Sequence, residues 1–235
     1  MRHLVSAVCG AFCGIVLCAA GALRAEPVVV VELFTSQGCV SCPPADAFFA
    51  RLAEDPRVIP LSLHVDYWDY IGWKDSFADP RFTERQKAYA RAIGSKTIYT
   101  PQFIVEGLDR VEGFSADETL AHIAHRLARP SAVSLRVTRR GGGLVIHADA
   151  DPPLDQPVRV QVVRYLPEQT VTIERGENAG KTVTYRNVVT SWDNLGDWPG
   201  RAPLELEVAL AGDAPAVVIV QAPGPGEILA AARAD

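Results

Sequence analysis

A strand-like segment that ends in a glycine turn and a Cys-x-x-Cys pair constrains this chain more than any other feature. Residues 28–34 are mostly apolar and β-branched, Gly38 predicts a turn, and Cys39 and Cys42 precede a helix-like segment that begins with two prolines. Cysteines at this junction lie at a helix N-terminus, where the dipole and the unpaired N–H groups favour negative charge. Thiolate is the reactive form of cysteine. The segment therefore predicts thiol–disulfide chemistry.

The first 25 residues predict a secretory signal peptide. Residues 4–23 carry no charge and follow a short basic start, and small residues offer cleavage after Ala22 or after Ala25. We therefore expect an exported protein, periplasmic or secreted, with no stable membrane insertion after cleavage. An uncleaved membrane anchor is the alternative, because the uncharged stretch approaches the length of a membrane-spanning helix.

Export would leave Cys39 and Cys42 as the remaining cysteines, because Cys9, Cys13 and Cys18 all lie in the signal segment. In an oxidising compartment we expect the remaining pair to form a disulfide. A loop with two intervening residues constrains the unfolded chain little, so a purely structural role explains the pair poorly. Two cysteines also cannot supply a four-cysteine zinc site within one chain.

The part of the chain before residue 130 shows alternating strand and helix patterns. Strands are predicted at residues 27–34, 58–65, 102–106 and 109–113, and helices at 43–52, 79–93 and 116–128. Ser115 and Glu118 form a capping box that opens the last of these helices. We expect the first two strands to be parallel, as in other mixed α/β layers.

From residue 131 the pattern changes to short strands separated by Pro and Gly turns. These strands are predicted at residues 133–138, 144–148, 158–165, 171–174, 182–189, 204–209 and 217–221, and residues 228–233 have a helical pattern. We therefore predict a signal peptide (1–25), an α/β domain (27–130) and an all-β, sandwich-like domain (131–235), with separate cores.

The α/β part resembles a thioredoxin-like domain. Three features carry the resemblance: the strand, turn, Cys-x-x-Cys and helix; the Thr100-Pro101 dipeptide before the short strand; and the order of strands and helices. The resemblance implies that Cys39 is the nucleophile, that Cys42 is the resolving thiol, and that a cis Pro101 faces them. An ordinary trans turn is the alternative for Pro101. Gly38 and the Val-Ser dipeptide between the cysteines depart from the thioredoxin pattern.

More narrowly, the mature chain resembles a family of secreted bacterial proteins catalogued as a domain of unknown function, DUF1223. The stretches that carry this likeness are FTSQGC at 34–39, HVDYWDYIGW at 64–73 and ERGEN at 174–178. The resemblance implies a fold for about nine-tenths of the chain and no established substrate.

An acid and several aromatic residues are further site candidates. Thioredoxin-like proteins often carry a buried acid at about the position of Glu32, which the resemblance implies as proton acceptor for the resolving thiol. The alternative for Glu32 is a salt-bridged or exposed strand residue. Tyr67, Trp68 and Trp73 follow the second strand and are candidates for binding a peptide or small ligand at the cysteine edge.

The histidines suggest metal binding less strongly than packing. His64 and Asp66 share a strand face and could contribute to a metal site, with packing and loop hydrogen bonds as the alternative. His122 and His125 share the face of a helix that we expect to be solvated.

The charged segment at 174–181 allows two structural predictions. It is predicted to be either a hairpin tip that reaches the cysteine edge or an exposed loop.

The leading hypothesis is an exported thiol–disulfide oxidoreductase that acts on protein or small-molecule disulfides and dithiols together with an unknown redox partner. We expect no cofactor. The formal net charge of −5 does not favour a nucleic-acid partner. Two alternatives remain: a periplasmic copper(I)-handling protein that uses Cys39, Cys42 and His64, since soft thiolates suit that ion, and a non-catalytic thioredoxin-like binding module.

Overall fold

The structure is a computed structural model that describes residues 27–234 of the 235-residue chain. In this part the α-helices are α1 (Pro43–Leu52), α2 (Pro80–Ala92) and α3 (Ala116–Leu127). The strands are β1 (Val29–Thr35), β2 (Val58–His64), β3 (Gln102–Val105), β4 (Asp109–Glu112), β5 (Val133–Arg140), β6 (Gly143–Ala150), β7 (Val158–Thr172), β8 (Thr182–Trp198), β9 (Leu204–Ala209), β10 (Ala216–Gln221) and β11 (Ile228–Arg233). The predicted signal peptide and its cleavage sites lie outside the described residues.

One eight-stranded mixed sheet runs through both halves of the chain. Its strand order is β11-β10-β7-β8-β2-β1-β3-β4. Strands β1 and β2 are parallel, as predicted, and β3 pairs with β1 in antiparallel orientation. Strand β8 joins β2 in parallel orientation where Ser62 lies opposite Val188. Next to that point, Asn187 donates a hydrogen bond from Nδ2 to the carbonyl of Pro60 at 2.9 Å.

The predicted fold class is therefore wrong. The chain is mostly β-sheet, with one mixed sheet, and is not a thioredoxin-like α/β domain followed by a separate all-β sandwich. The physical reason lies at β2, because β1 covers only one of its two edges. A free edge there would expose a row of unpaired N–H and C=O groups, and β8 covers it.

The hydrophobic cores also cross the predicted boundary. One buried cluster combines Phe34 and Leu61 from the first half with Val163 and Ile219 from the second. The prediction of separate cores is thus wrong, because both halves of the sheet pack into the same cluster. Whether residues 27–130 and 131–235 can each fold as an independent domain stays a prediction.

Two further clusters complete the core. The three-stranded sheet β5-β6-β9 packs against the far part of the large sheet, where Ile146, Val160 and Trp198 are buried. Helices α1 and α3 cover the other end, where Phe49 and Phe103 are buried. Helix α1, which follows the cysteine loop, is therefore fixed by an aromatic core.

Most first-half elements lie within a residue or two of their predicted bounds. The capping box is confirmed on its N-cap side, because Ser115 accepts a hydrogen bond from the N–H of Glu118 at 3.3 Å. Asp79 caps α2 in the same manner, by accepting from the N–H of Arg81 at 2.8 Å. These side chains satisfy N–H groups that a helix leaves unpaired at its start.

The helical reading of residues 228–233 is wrong. The segment is strand β11 and pairs in antiparallel orientation with β10. All six residues of β10 are buried, and β7 covers only one of its edges, so tertiary pairing decides the conformation of the last segment. The two strands predicted at 158–165 and 171–174 likewise form one long strand, β7.

Within residues 27–234, the helices are too short or too polar to span a membrane.

Candidate functional site

The cysteine pair lies in the loop between β1 and α1. Cys39 and Cys42 form a disulfide, and their Cα atoms are 5.4 Å apart. Cys42 is fully buried, whereas Cys39 keeps 3% of its surface exposed beside the exposed Val40. Both cysteines are therefore buried, and the small exposed area of the pair belongs to Cys39.

The start of helix α1 differs from the expected helix N-terminus with unpaired N–H groups beside the cysteines. Cys42 is the N-cap residue, and Pro43 and Pro44, which have no N–H, occupy the first helical positions. The N–H of Cys42 donates to the carbonyl of Cys39 at 3.2 Å. The helix dipole therefore acts on the pair with fewer N–H donors than an ordinary first turn would offer.

Ser41 is a site residue that the sequence analysis did not single out. Its Oγ lies 3.5 Å from Cys39 Sγ and donates a hydrogen bond to the carbonyl of Thr100 at 3.3 Å. The Thr100–Pro101 peptide bond is cis. The prediction that this loop is cis and faces the cysteine pair is therefore confirmed, while a role for Thr100 and Pro101 in substrate binding stays a prediction.

The predicted aromatic residues hold the loops around the disulfide. Trp68 donates from Nε1 to Thr100 Oγ1 at 2.8 Å, and Trp73 donates from Nε1 to Gln37 Oε1 at 2.8 Å. Tyr67 donates from its hydroxyl to Gln86 Oε1 at 3.2 Å. All three are half-buried, so their role in substrate binding stays a prediction.

Tyr70 and Gly38 add two observations to this aromatic loop. Tyr70, which the sequence analysis missed, is 81% exposed. Gly38 permits the close approach of Trp68, because a Cβ at Gly38 would lie 3.2 Å from Trp68 Cβ, a tight contact. The glycine that replaces the aromatic residue of the thioredoxin pattern thus makes room for this loop.

Glu32 has the salt-bridged environment that was its alternative reading. It is fully buried, and both of its carboxylate oxygens accept hydrogen bonds from Arg85, at 2.6 and 2.9 Å. Tyr89 donates a further hydrogen bond to Glu32 at 2.5 Å. The Arg85 guanidinium also stacks on the ring of Trp192 at 3.6 Å. The geometry thus favours a structural ion pair over the proton-acceptor role, which stays untested.

A buried acid–histidine cluster, composed of Thr35, Asp46, His64 and Asp75, lies next to the cysteine loop. Thr35 donates from Oγ1 to Asp46 Oδ1 at 2.8 Å. His64 Nδ1 lies 2.7 Å from Asp75 Oδ2, and both side chains are fully buried. The N–H of Gln37 donates to the same Asp75 oxygen at 2.8 Å, which links the cluster to the turn before Cys39.

The two acids of this cluster have opposite pKa shifts. Burial raises the pKa of Asp46 to about 7, and the charge of His64 offsets this only in part. Burial would also raise the pKa of Asp75, but His64 and the N–H donors of Gln37 and Phe77 together lower it below its usual value. Asp75 is therefore the carboxylate of the cluster, and Asp46 titrates near neutral pH.

The remaining metal candidates lie apart. Asp66 accepts a hydrogen bond from Thr83, whereas His64 pairs with Asp75, so the two predicted ligands have different partners. His122 lies on α3 beside Asp109 at 3.6 Å. Residues 27–234 contain no group of three or more His, Cys, Asp or Glu side chains that could hold a metal ion. The copper(I) alternative, with Cys39, Cys42 and His64 as its candidate ligands, stays a prediction.

The tip of the β7–β8 hairpin reaches the cysteine loop, which confirms the first reading of residues 174–181. Asn178 is 1% exposed and donates from Nδ2 to the carbonyls of Gln37 and Cys39, at 2.9 and 2.8 Å. Lys181 donates to Asn178 Oδ1 at 2.8 Å and so orients the amide. Tyr185 of β8 packs edge-on against His64, with ring centroids 4.8 Å apart. The second half of the chain therefore contributes to the walls of the site.

Comparisons with known proteins identify a family and two similar structures. The family model described as "Protein of unknown function (DUF1223)" matches residues 30–221. The crystal structure of the protein AGR_C_4864 from Agrobacterium tumefaciens is similar at 33% sequence identity, with a TM-score of 0.76. That match covers 89% of this chain and 95% of the Agrobacterium chain.

A second structure shares the fold alone. HBP35 of Porphyromonas gingivalis is similar with a TM-score of 0.59 at 16% identity, over 88% of this chain and 74% of that one. No functionally curated protein matches the chain.

Proposed function

We propose a function in thiol–disulfide exchange for this chain, which belongs to the DUF1223 family of proteins of unknown function. Cys39 and Cys42 would be the reacting pair of an exported oxidoreductase. The observation that carries the proposal is the disulfide between these two residues at the start of α1, in which Cys42 is completely buried and Cys39 keeps 3% of its surface exposed.

The proposed reaction proceeds in two exchange steps. In the reduced protein, the Cys39 thiolate attacks one sulfur of a substrate disulfide, forms a mixed disulfide and releases the first substrate thiolate. Cys42 then loses its proton and attacks Cys39 Sγ, which re-forms the Cys39–Cys42 bond and releases the second substrate thiolate. The substrate gains two electrons, and the cysteine pair loses them. The reverse sequence would oxidise a dithiol.

Two polar contacts support Cys39 as the attacking residue. Ser41 Oγ lies 3.5 Å from Cys39 Sγ, and its hydroxyl can turn from the Thr100 carbonyl to donate to a thiolate once the disulfide opens. Asn178 holds the carbonyl of Cys39 and so fixes the loop that presents the sulfur. The exposed side chains of Val40 and Tyr70, in the cysteine and aromatic loops, offer apolar surface for a protein or small-molecule substrate.

The proposed location is the periplasm or the outside of the cell. The charge-free segment at 4–23 and the small residues that follow it support export. Such a compartment would supply disulfide substrates, and an unidentified redox partner would reset the cysteine pair.

The reduction potential of the Cys39–Cys42 pair tests this proposal. We expect it to lie between about −270 and −120 mV, the range of proteins that exchange disulfides. The protein is equilibrated in glutathione redox buffers, its thiols are alkylated, and the oxidised fraction is measured by mass spectrometry. A potential below about −300 mV is typical of structural disulfides and would contradict the proposal. A repeat with copper(I) tests the metal-handling alternative, which requires the dithiol form to bind the ion.

A further inference from the structure

A cavity of about 380 Å³ lies between helix α2 and the part of the large sheet that the second half of the chain supplies. Its wall is drawn from α2 (Arg81, Phe82, Arg85), β7 (Arg159, Gln161) and β8 (Trp192), and the turn between β10 and β11 also contributes. In residues 27–234 the wall contains neither cysteine and neither residue of the cis Thr100-Pro101 pair, so the cavity is separate from the disulfide. Cavities of about 300–1,000 Å³ are typical of small-molecule sites.

The polar side chains on the floor of this cavity hydrogen-bond to one another. Trp192 Nε1 donates to Gln161 Oε1 at 2.9 Å, and Gln161 Nε2 donates to Gln221 Oε1 at 3.1 Å. Gln221 Nε2 donates in turn to the Tyr89 hydroxyl and to the carbonyl of Gly226, at 3.1 and 2.9 Å. Both glutamines are buried. A network of paired buried groups holds the cavity in one shape.

The walls of the cavity add apolar surface to this polar floor. Phe82 of α2 is buried at the cavity, and Pro225 of the β10–β11 turn lines it. The indole ring of Trp192 is held in place by the Arg85 guanidinium, which lies 3.6 Å from the ring centroid. Apolar and aromatic walls with a few polar groups favour a ligand that has an apolar body.

Arginines supply all of the charged side chains that line the cavity in the described residues, and these are Arg81, Arg85 and Arg159. Arg81 donates to Asp79 from Nε and Nη2, and Arg85 donates to Glu32 from the same two atoms. The Nη1 atoms of Arg81 and Arg85 make no hydrogen bond within residues 27–234. These N–H groups can therefore donate to a ligand.

Arg159 is the arginine of this set that is least engaged with the protein. Its Nε lies 4.0 Å from Asp197, which is beyond hydrogen-bond distance, and its side chain makes no hydrogen bond within the described part of the chain. The side chain of Arg159 is 51% exposed and that of Arg81 is 59% exposed, so these two arginines form the rim of the cavity. Asp193 acts on Arg81 through its charge alone. The nearby acids thus leave donors open at the rim.

We propose that this cavity binds a small organic carboxylate with an apolar body. The carboxylate accepts hydrogen bonds from Arg159 and Arg81 at the rim, because guanidinium groups pair with planar carboxylates through parallel N–H donors. The apolar body packs inside the cavity against Phe82, Trp192 and Pro225. This binding activity does not depend on the proposed disulfide exchange, so either one can fail without the other.

Calorimetric titration of the protein with three probes tests the chemical class of the ligand. Octanoate carries both the negative charge and an apolar body, acetate carries the charge alone, and octylamine reverses the charge. We expect octanoate to bind with a Kd below about 1 mM and the other two probes to bind at least about tenfold more weakly. Octanoate that fails to bind, or that binds no better than acetate or octylamine, would overturn the proposal.

Variants at the rim test the role of the arginines. Arg159→Met should weaken octanoate binding by at least about tenfold, because a hydrogen bond between charged groups is lost. Arg136 of β5 is exposed and lies outside the cavity wall, so Arg136→Met is the matched control and should bind octanoate as the parent does. Asp197→Asn removes the acid beside Arg159 and should not weaken binding. Equal affinity in Arg159→Met and Arg136→Met would contradict the proposal.

The indole N–H resonance of Trp192 in two-dimensional NMR spectra of isotope-labelled protein locates the bound probe. Trp192→Phe identifies this resonance by its disappearance. We expect octanoate to shift it and to leave the indole resonances of Trp68 and Trp73, in the loops around the disulfide, unchanged. A shift of Trp68 or Trp73 without a shift of Trp192 would place octanoate at another site and overturn the proposal. Arg81→Met is the second rim variant, with the same expected loss of affinity, if Arg159→Met does not fold.

Discussion

Replacing Cys39 with Ser should reduce disulfide exchange to the uncatalysed background. After removal of the predicted signal segment, Cys42 would be the only other thiol, and it is completely buried. A hydroxyl at position 39 cannot replace the thiolate as the attacking group at neutral pH. The measurement is the reduction of insulin by dithiothreitol with and without the protein. Turnover by Cys39→Ser at the parental rate would refute the role of Cys39.

The matched control for this variant is Ser41→Ala. It alters the same loop, keeps both cysteines, and removes the hydroxyl that lies 3.5 Å from Cys39 Sγ. We expect a partial loss only, because a single hydrogen bond to a charged group contributes about 1.5–3 kcal/mol. Equal loss in Ser41→Ala and Cys39→Ser would mean that the assay reports on the loop conformation and not on the thiol.

Replacing Arg85 with Met should lower the free energy of unfolding by about 3–5 kcal/mol, the cost of breaking a buried ion pair from one side. Glu32 is fully buried, and Arg85 supplies two hydrogen bonds to its carboxylate. Arg85 also donates to Gln221 of β10 at 3.2 Å and so links α2 to the second half of the chain. Met keeps most of the length of the side chain, so the loss of charge dominates the effect. Urea unfolding monitored by fluorescence provides the measurement.

Two comparisons isolate the ion pair. Lys87→Met on the same helix breaks an exposed pair with Glu84 and should change the free energy of unfolding little. The double variant Glu32→Leu/Arg85→Met removes both charges and should recover much of the lost stability. An Arg85→Met variant as stable as Lys87→Met would show that Glu32 does not depend on its partner.

The sequence was sufficient to predict the local elements of the first half. Period, caps and turn residues act over a few neighbours, which is why Ser115 and the prolines at the start of α1 gave near-correct bounds. The pairing of β8 with β2 was not predictable in this way. It joins Ser62 to Val188, and a local pattern shows that a strand exists but not which edge it covers.

The same contrast between local signals and long-range contacts applies to the candidate site. Cys39, Cys42 and cis Pro101 carry local signals, and Ser41 between the two cysteines contacts Thr100, the residue before this proline. The sequence around Glu32 did not predict its ion-pair partner, because Arg85 is 53 positions away in the chain. Asp46 gave a signal that could have been used: it is a charged residue four positions after Cys42, among apolar residues of α1 that pack into the core.

The most direct test of the central claim, that Cys39 is the exchanging thiol, uses the Cys42→Ser variant. Without the resolving thiol, a mixed disulfide at Cys39 has no internal thiol to release it. Reduced Cys42→Ser is mixed with oxidised glutathione, and the adduct is located by peptide mass spectrometry against a free cysteine peptide and against Cys39→Ser. We predict one adduct at Cys39, formed faster than on the peptide, and almost none at Cys42 in Cys39→Ser. Reaction at Cys39 slower than on the peptide, or equal labelling of the two variants, would contradict this prediction.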